Sequence, residues 1–354
     1  MTIRKITNYL ESIAPLKYQE SYDNAGLIVG NPSVQCTKAL LCLDSTEAVI
    51  DEAIEKGCNL VIAHHPIVFS GLKKITGRNY IERVIIKAIK NDIAIYAAHT
   101  NLDNVHNGVN RKIAEKLGLQ NCRILAPKKD ALLKLDISCP IDHADQFRKI
   151  LLKAGGNHVL DFGISSFNTL SIATPKQNTS QTATLLITLA FPAHLEGNML
   201  NAIKHHHPSP QPTYHLQTLK NKNQHLGAGM IGQLRTPMDL TAFLGLLQNK
   251  MNVACVRHTR PLKQRIQKVA VCGGSGSFLL PKAISAGADI FVTADYKYHQ
   301  FFDADKRIVI ADIGHYESEQ FTIELFQEII SKKFPNFVAI LSKVNTNPVH
   351  YFVG

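Results

Sequence analysis

The apolar run Leu60-Val61-Ile62-Ala63 has strand character and is followed at once by His64-His65-Pro66. Adjacent residues leaving a strand point to opposite sides, but a turn imposed near a proline can converge two imidazoles on one space. Two such rings could serve one metal ion or two neighbouring ions; the plainer alternative is a pair of solvated histidines at a polar strand end. Two more segments bear on the choice. Asp103 lies in His99-Thr100-Asn101-Leu102-Asp103-Asn104, after the apolar stretch Ile93–Ala97. His315 and Glu319 follow the stretch Arg307–Asp312 at i,i+4 spacing, which puts them on one face of a helix. A surface pair worth little is the alternative for those two. Three strand ends that each supply a nitrogen or oxygen donor favour a metal site. Imidazoles and carboxylates without thiolate suit zinc, iron, manganese or nickel, and two ions bridged by a carboxylate fit the same residue set.

Other features carry less chemistry. Cys272-Gly273-Gly274-Ser275-Gly276-Ser277 follows a strand and opens a helix, so its backbone N–H groups could cradle a phosphate, although a tight strand-to-helix turn explains it as well. Asp295-Tyr296-Lys297-Tyr298-His299 reads as a pocket rim or a surface helix start. Lys73 and Lys74 could meet an anionic substrate, or lie in a solvated loop. His205-His206-His207 at a helix end is most simply a solvated run, with adventitious metal binding the alternative. No G-x-S-x-G elbow is present.

The chain has 354 residues, 45% of them hydrophobic and 19% charged, enough for more than one domain core. No apolar run approaches the roughly 18 residues that a spanning helix needs. The charges among Ile3, Ile6, Leu10 and Ile13 give an amphipathic helix rather than a secretory leader. The seven cysteines are scattered without a C-x-x-C pair, which argues for a reducing, cytoplasmic compartment and against a disulfide framework. The net charge of +11 is spread thinly, so a weak preference for anions is expected and nucleic-acid binding is not.

These donors must be positioned by an α/β framework. A helix over about 2–13 precedes a turn at Ser21–Gly26; short strands at Leu27–Gly30, Ala39–Leu43, Leu60–Ala63 and Ile93–Ala97 alternate with helices Thr46–Lys56, Tyr80–Lys90 and Gly108–Leu117. That rhythm predicts a largely parallel sheet covered on both faces. From about Pro127 to Arg235 the order becomes βαββαβ, that of a ferredoxin-like module, with strands at Leu133–Cys139, 159–173, 183–191 and 213–219, helices at Asp142–Ala154 and 193–205, and a polar hairpin tip at Pro175–Thr182. Alternation resumes near Met238. The core also reads as duplicated, since Gly57-Cys58-Asn59-Leu60-Val61-Ile62 lines up with Gly287-Ala288-Asp289-Ile290-Phe291-Val292. The expected domains are a first α/β half at 1–126, an insert at 127–235 and a second half at 236–354.

Five motifs together resemble one family. Ser21-Tyr22-Asp23-Asn24-Ala25-Gly26-Leu27, Ile62-Ala63-His64-His65-Pro66, His99-Thr100-Asn101-Leu102-Asp103, Cys272-Gly273-Gly274-Ser275-Gly276 and Gly314-His315-Tyr316-Glu317-Ser318-Glu319 are similar to motifs of the GTP cyclohydrolase 1 type 2 homologues, or NGG-interacting-factor-three-like proteins. The resemblance implies two divalent ions, with His64 and His65 on different ions, Asp103 on one, His315 on the other and Glu319 bridging. His99 ranks second among the ligands. It also implies a homohexamer around an internal chamber and an insert like the PII and CutA signalling fold. Longer members carry an acidic H-P-Y-E-E-P pattern in the insert, where this chain has His207-Pro208-Ser209-Pro210-Gln211-Pro212. The leading expectation is a metal-dependent hydrolase of an anionic small molecule, a nucleotide or a related heterocycle. Asp23, Asp295 and His299 are candidates for a general acid. The alternative is a non-catalytic metal-binding or regulatory hexamer whose insert senses a small ligand or gates the chamber.

Overall fold

In the computed structural model, which describes residues 1–156, 166–172, 183–261 and 265–352, the first element is helix α1 (Ile3–Ile13). Its Ile3, Ile6 and Leu10 recur at helical spacing and are buried, as an amphipathic segment requires. Strands β1 (Gly26–Val29), β2 (Ala39–Cys42), β3 (Leu60–Ala63) and β4 (Ala94–Ala97) follow, with α2 (Glu47–Glu55) and α3 (Tyr80–Lys90) among them. Every residue of β2, β3 and β4 is buried, which is what a sheet covered on both faces demands of its strands. Thr46 and Asn79 cap the two helices, their side chains accepting from the backbone N–H of Val49 and Glu82. Short α4 (Thr100–Asp103), α5 (Val109–Lys116) and β5 (Gln120–Lys128) complete this part.

Pro127–Gln224 form a compact unit of their own. It holds β6 (Leu132–Pro140), α6 (Ile141–Ala154), β7 (Ser166–Ile172), β8 (Ala183–Pro192), α7 (Glu196–His206) and β9 (Tyr214–Leu219). The four strands make one antiparallel sheet in the order β7-β8-β6-β9. Alternate residues of β6 (Leu135, Ile137, Cys139) and β8 (Ile187, Leu189, Phe191) share a core with Phe147 of α6 and Met199 of α7. Both helices therefore cover the same sheet face. The expected polar tip at 175–182, and the start of the strand expected from 159, lie outside the described residues.

The chain returns through β10 (Asn223–Met238), α8 (Leu240–Met251), β11 (Arg257–His258), β12 (Ile266–Ser275), α9 (Leu280–Ser285), β13 (Ile290–Ala294), β14 (Val309–Asp312), α10 (His315–Glu319), α11 (Thr322–Lys333) and β15 (Ala339–Leu341). The second unit thus ends at Gln224 and not at 235, because β10 pairs antiparallel with β12 inside the larger unit. Its glycines, Gly227 and Gly229 with positive φ among them, disguise this strand as a loop.

The larger unit contains two sheets, ordered β1-β4-β3-β2-β15 and β11-β14-β13-β12-β10-β5. Each has three consecutive parallel strands (β2, β3, β4 and β12, β13, β14) with an antiparallel strand beside the last. The aligned segments around Leu60 and Ile290 occupy the middle strand of each trio. Each half also lends a strand to the other's sheet: β15 pairs with β2, and β5 lies beside β10. Residues 1–126 and 225–354 are consequently one compact unit, with Ile62, Tyr96, Val292 and Phe326 in a common core. Among the described residues no helix is long and apolar enough to cross a membrane. All seven cysteines are free thiols.

Candidate metal centre

The parallel register brings the donors together. Cys42 is level with Ala63, and Ala63 with Ala97, so the residues just beyond these strands (Asp44, His64, His65, His99) gather at the carboxyl edge of the first sheet. In the second sheet Thr293 is level with Asp312, and beyond them come Asp295 and helix α10 with His315 and Glu319. Carboxyl edges of parallel strands are where open α/β sheets present their ligand-binding residues.

His64, His65, Asp103 and His315 converge on Glu319. Its Oε1 lies 3.7 Å from His64 Nε2, while its Oε2 lies 2.9 Å from His65 Nε2 and 3.1 Å from His315 Nε2. Asp103 Oδ1 is 3.6 Å from His64 Nε2. Three donor groups emerge: His64 with Asp103 and Glu319, His65 with His315 and Glu319, and His64 with His65 and His99. Glu319 belongs to the first two, and its two oxygens face different groups.

A second observation concerns the far side of each ring. His65 Nδ1 meets Asp44 Oδ1 at 2.7 Å, His99 Nδ1 meets Asp23 Oδ1 at 2.7 Å, and His315 Nδ1 meets Asp295 Oδ2 at 2.7 Å. His64 Nδ1 meets the carbonyl oxygen of Ala98 at 2.8 Å. Each Nδ1 thus faces an oxygen and the Nε2 atoms are turned toward the common space, the orientation of metal-binding histidines, where a bound ion would replace any Nε2 proton. Sequence reasoning singled out Asp23 and Asp295 as acids. The structure shows them holding rings. Asp44 was missed, although its place two residues past a parallel strand mirrors that of His65. Asp295 reaches His315 from a left-handed conformation, φ 59°, which Asp tolerates better than most residues.

The electrostatics are those of crowded charge. Burial lowers the His65 imidazole, but the Asp44 and Glu319 carboxylates outweigh it and lift the ring to about 9. His315 is lifted to about 11 in the same way, by Asp295 and Glu319. Burial, then the neighbouring Glu319 charge, raises Asp103, whereas Glu319, despite burial, is held low by His64 and the other rings. Burial likewise opposes Asp23, yet the hydrogen bonds from His99 and Thr100 keep it at about 2. His64 Nε2 and Asp103 Oδ1 are buried with no hydrogen-bond partner. Buried polar atoms in native proteins are almost always satisfied, and a divalent cation between these two would satisfy both. The residues fit such an ion.

The glycine-rich loop packs against this cluster. A Cβ on Gly274 would lie 2.6 Å from Glu319 Oε1, and one on Gly273 3.1 Å from Glu319 Cγ. Their N–H groups are already donated, Gly273 to Asn110 Oδ1 at 3.0 Å and Gly274 to Ser318 Oγ at 2.9 Å. Helix α9 begins only after a further turn, at Leu280. His299 is exposed, edge-on to the Tyr298 ring, and does not line the cavity over the cluster. Lys73 and Lys74 are exposed and do not line it either. His207 closes its helix, with Nε2 donating to the Ser138 carbonyl at 2.9 Å.

That cavity, about 730 Å³, is walled by both sheets' loops and contains His65, His99, Asp103, His315 and Glu319.

The chain is similar to known proteins over nearly its whole length. The family model Duf34/NIF3 (NGG1p interacting factor 3) matches residues 1–348. A GTP cyclohydrolase 1 type 2 homolog of Halalkalibacterium halodurans is 34% identical over 360 residues, covering 97% of each chain. One from Bacillus subtilis is 34% identical over 363 residues, covering 98% of this chain and 97% of the relative. Among solved structures, a Bacillus cereus protein related to NIF3 superposes with a TM-score of 0.86 at 34% identity, and a Staphylococcus aureus protein with 0.81 at 30%, each match covering 99% of both chains.

Proposed function

The chain belongs to the Duf34/NIF3 family, and from that premise we propose that it is a metal-dependent hydrolase of a nucleotide or related heterocycle, the substrate class that its relatives' name suggests. The observation that carries the proposal is the unpartnered pair His64 Nε2 and Asp103 Oδ1, buried beside a Glu319 that faces a second donor group through its other oxygen. We assign two divalent ions of the zinc, iron, manganese or nickel class: His64 and Asp103 on one, His65 and His315 on the other, Glu319 between them, with His99 in reserve. Such ions supply Lewis-acid polarisation and activation of water at neutral pH. The chain's own part is to hold the rings in one tautomer through Asp23, Asp44 and Asp295, to balance cationic charge with Asp103 and Glu319, and to shield the cluster in a cavity.

Two structural readings accompany this one. The βαββαβ unit with strand order β7-β8-β6-β9 is an inserted ferredoxin-like domain. The assembly is a homohexamer, as the family resemblance implies.

One observation favours the non-catalytic, regulatory alternative. Asp23 and Asp295 are spent on His99 and His315, and His299 lies outside the cavity, so none of the three is a free general acid. The deciding experiment is metal analysis of protein purified without chelating resin, joined to a turnover screen over nucleotides and pterin-like compounds. His65→Ala and Glu319→Ala should each lose metal while staying folded by circular dichroism; full metal content in both would remove the site. Turnover should vanish on chelation and return with a divalent ion. A fully metallated protein that turns over none of these compounds would favour the regulatory reading over the hydrolase.

A further inference from the structure

The mouth of the metal cavity is aromatic. Tyr22, Phe69 and Phe278 line it and are 64%, 49% and 66% exposed, an unusual concentration of large apolar surface around one opening. Tyr22 and Phe69 lie nearly parallel, 20° between planes and 6.3 Å between centroids, while Phe69 meets the His99 ring edge-on at 5.7 Å. The pair is held in place. Asn24 Nδ2 donates to the Val68 carbonyl at 2.7 Å, tying the turn that carries Tyr22 to the loop that carries Phe69. Asp23, next to Tyr22, binds His99 and the Thr100 N–H. Ring positions are thus coupled to the metal cluster through two short hydrogen-bonded links.

Among the described residues that line it, the same cavity has no lysine or arginine to follow a phosphate chain. Its acidic and imidazole side chains are Glu20, Asp103, Glu319 and three histidines, so a phosphate there would be held by the bound ions and not by a basic side chain. The N–H groups of Gly273 and Gly274 are occupied. We propose that Tyr22, Phe69 and Phe278 form a stacking platform that seats a planar heterocyclic ring against the metal cluster, so that the ring's flat face carries recognition. Aromatic faces accept any flat π system, and each such stack contributes substantially to binding of bases. This deepens the heterocycle reading above and rests on it: specificity lies in the base, whatever phosphate the ions hold.

The test is calorimetric binding to the full-length protein, with metal content measured in each sample, using guanosine, GTP and ribose 5-phosphate as probes. Guanosine should bind, ribose 5-phosphate, which can reach only the ions, should bind more weakly, and GTP should lose affinity in the same variants as guanosine. Tyr22→Ala and Phe69→Ala should each weaken guanosine about tenfold, Phe69→Tyr should restore binding, and metal content and sedimentation should stay as in the wild type. No guanosine binding, equal affinity in the alanine variants, or ribose 5-phosphate binding as well as guanosine would overturn the platform. A change of sedimentation in the variants would overturn it too, by showing the rim to be a subunit contact. Failure of the metal reading is separately visible, as wild-type protein without metal.

Discussion

Asp44 is the sharpest place to perturb the cluster, because it touches a proposed ligand without being one. Its Oδ1 accepts from His65 Nδ1 at 2.7 Å and its Oδ2 from Thr346 Oγ1 at 2.6 Å. A hydrogen bond to a charged group is worth about 1.5–3 kcal/mol. The Asp44 side chain is 33% exposed, so solvent screening places this one at the lower end. Asp44→Asn can keep its oxygen toward His65 by turning its amide toward Thr346, and loses mainly the charge. Metal affinity should then fall about tenfold, or about 1.4 kcal/mol. Asp44→Leu has no acceptor, frees the His65 ring to rotate or to place its proton on Nε2, and should cost about a hundredfold. Thr346→Val should cost least. Competition against a chromogenic chelator measures all three, with circular dichroism confirming the fold. Unchanged affinity in folded Asp44→Leu would refute the claim that His65 binds through an Nε2 oriented by Asp44.

Three other outcomes are expected. Gly274→Ala places a methyl group 2.6 Å from Glu319 Oε1 at a residue with φ 58°, where a left-handed side chain costs about 1–2 kcal/mol; metal stoichiometry and melting temperature should both fall, and retention of full metal would show that the loop yields. Glu82 accepts from the N–H groups of Thr76 at 2.7 Å and Arg78 at 3.1 Å, which hold its carboxyl below its ordinary value of 4.5. Its contribution is therefore complete above 4.5 and lost as pH falls through the lower folded value. Glu82→Gln should melt below wild type at neutral pH, with the gap closing in acid; a gap independent of pH would contradict this. Removing 127–224 and joining Ala126 to His225 links β5 to its sheet neighbour β10 and should leave soluble protein that binds metal, whereas insolubility with every linker tried would show the unit to be integral.

Much of the core was legible because its physics is local. Four-residue apolar runs such as Leu60–Ala63 can hardly be anything but buried strands, and the i,i+4 spacing of His315 and Glu319 specifies a shared face. The polar residues just past those strands were visible for the same reason. Asp44 escaped because Leu43-Asp44-Ser45-Thr46 reads as a helix entrance, and its partnership with His65 follows only once β2 is set level with β3. Asp23 and Asp295 were located but given another task, since a sequence shows a carboxylate without showing which imidazole it faces. β15 and β10 were lost for a related reason: their pairing is long-range, and the glycines of β10 hide its strand character.

The reciprocal lending of β5 and β15 has a consequence for how the protein is made. A chain still emerging from the ribosome with β1 to β4 complete has His64, His65 and Asp103, but neither Glu319 nor the strand that flanks β2. Its partner sheet cannot form until β12 to β14 have been synthesised, although β5 is already waiting for it. Pro127–Gln224 emerge as a separate unit, but the larger unit closes only after Leu341 is free, so the donor set of the cluster is brought together at the end of synthesis and not at its start. Truncation or slow synthesis of the last residues would strand β2 with a bare hydrogen-bonding edge, a template for association with other nascent copies.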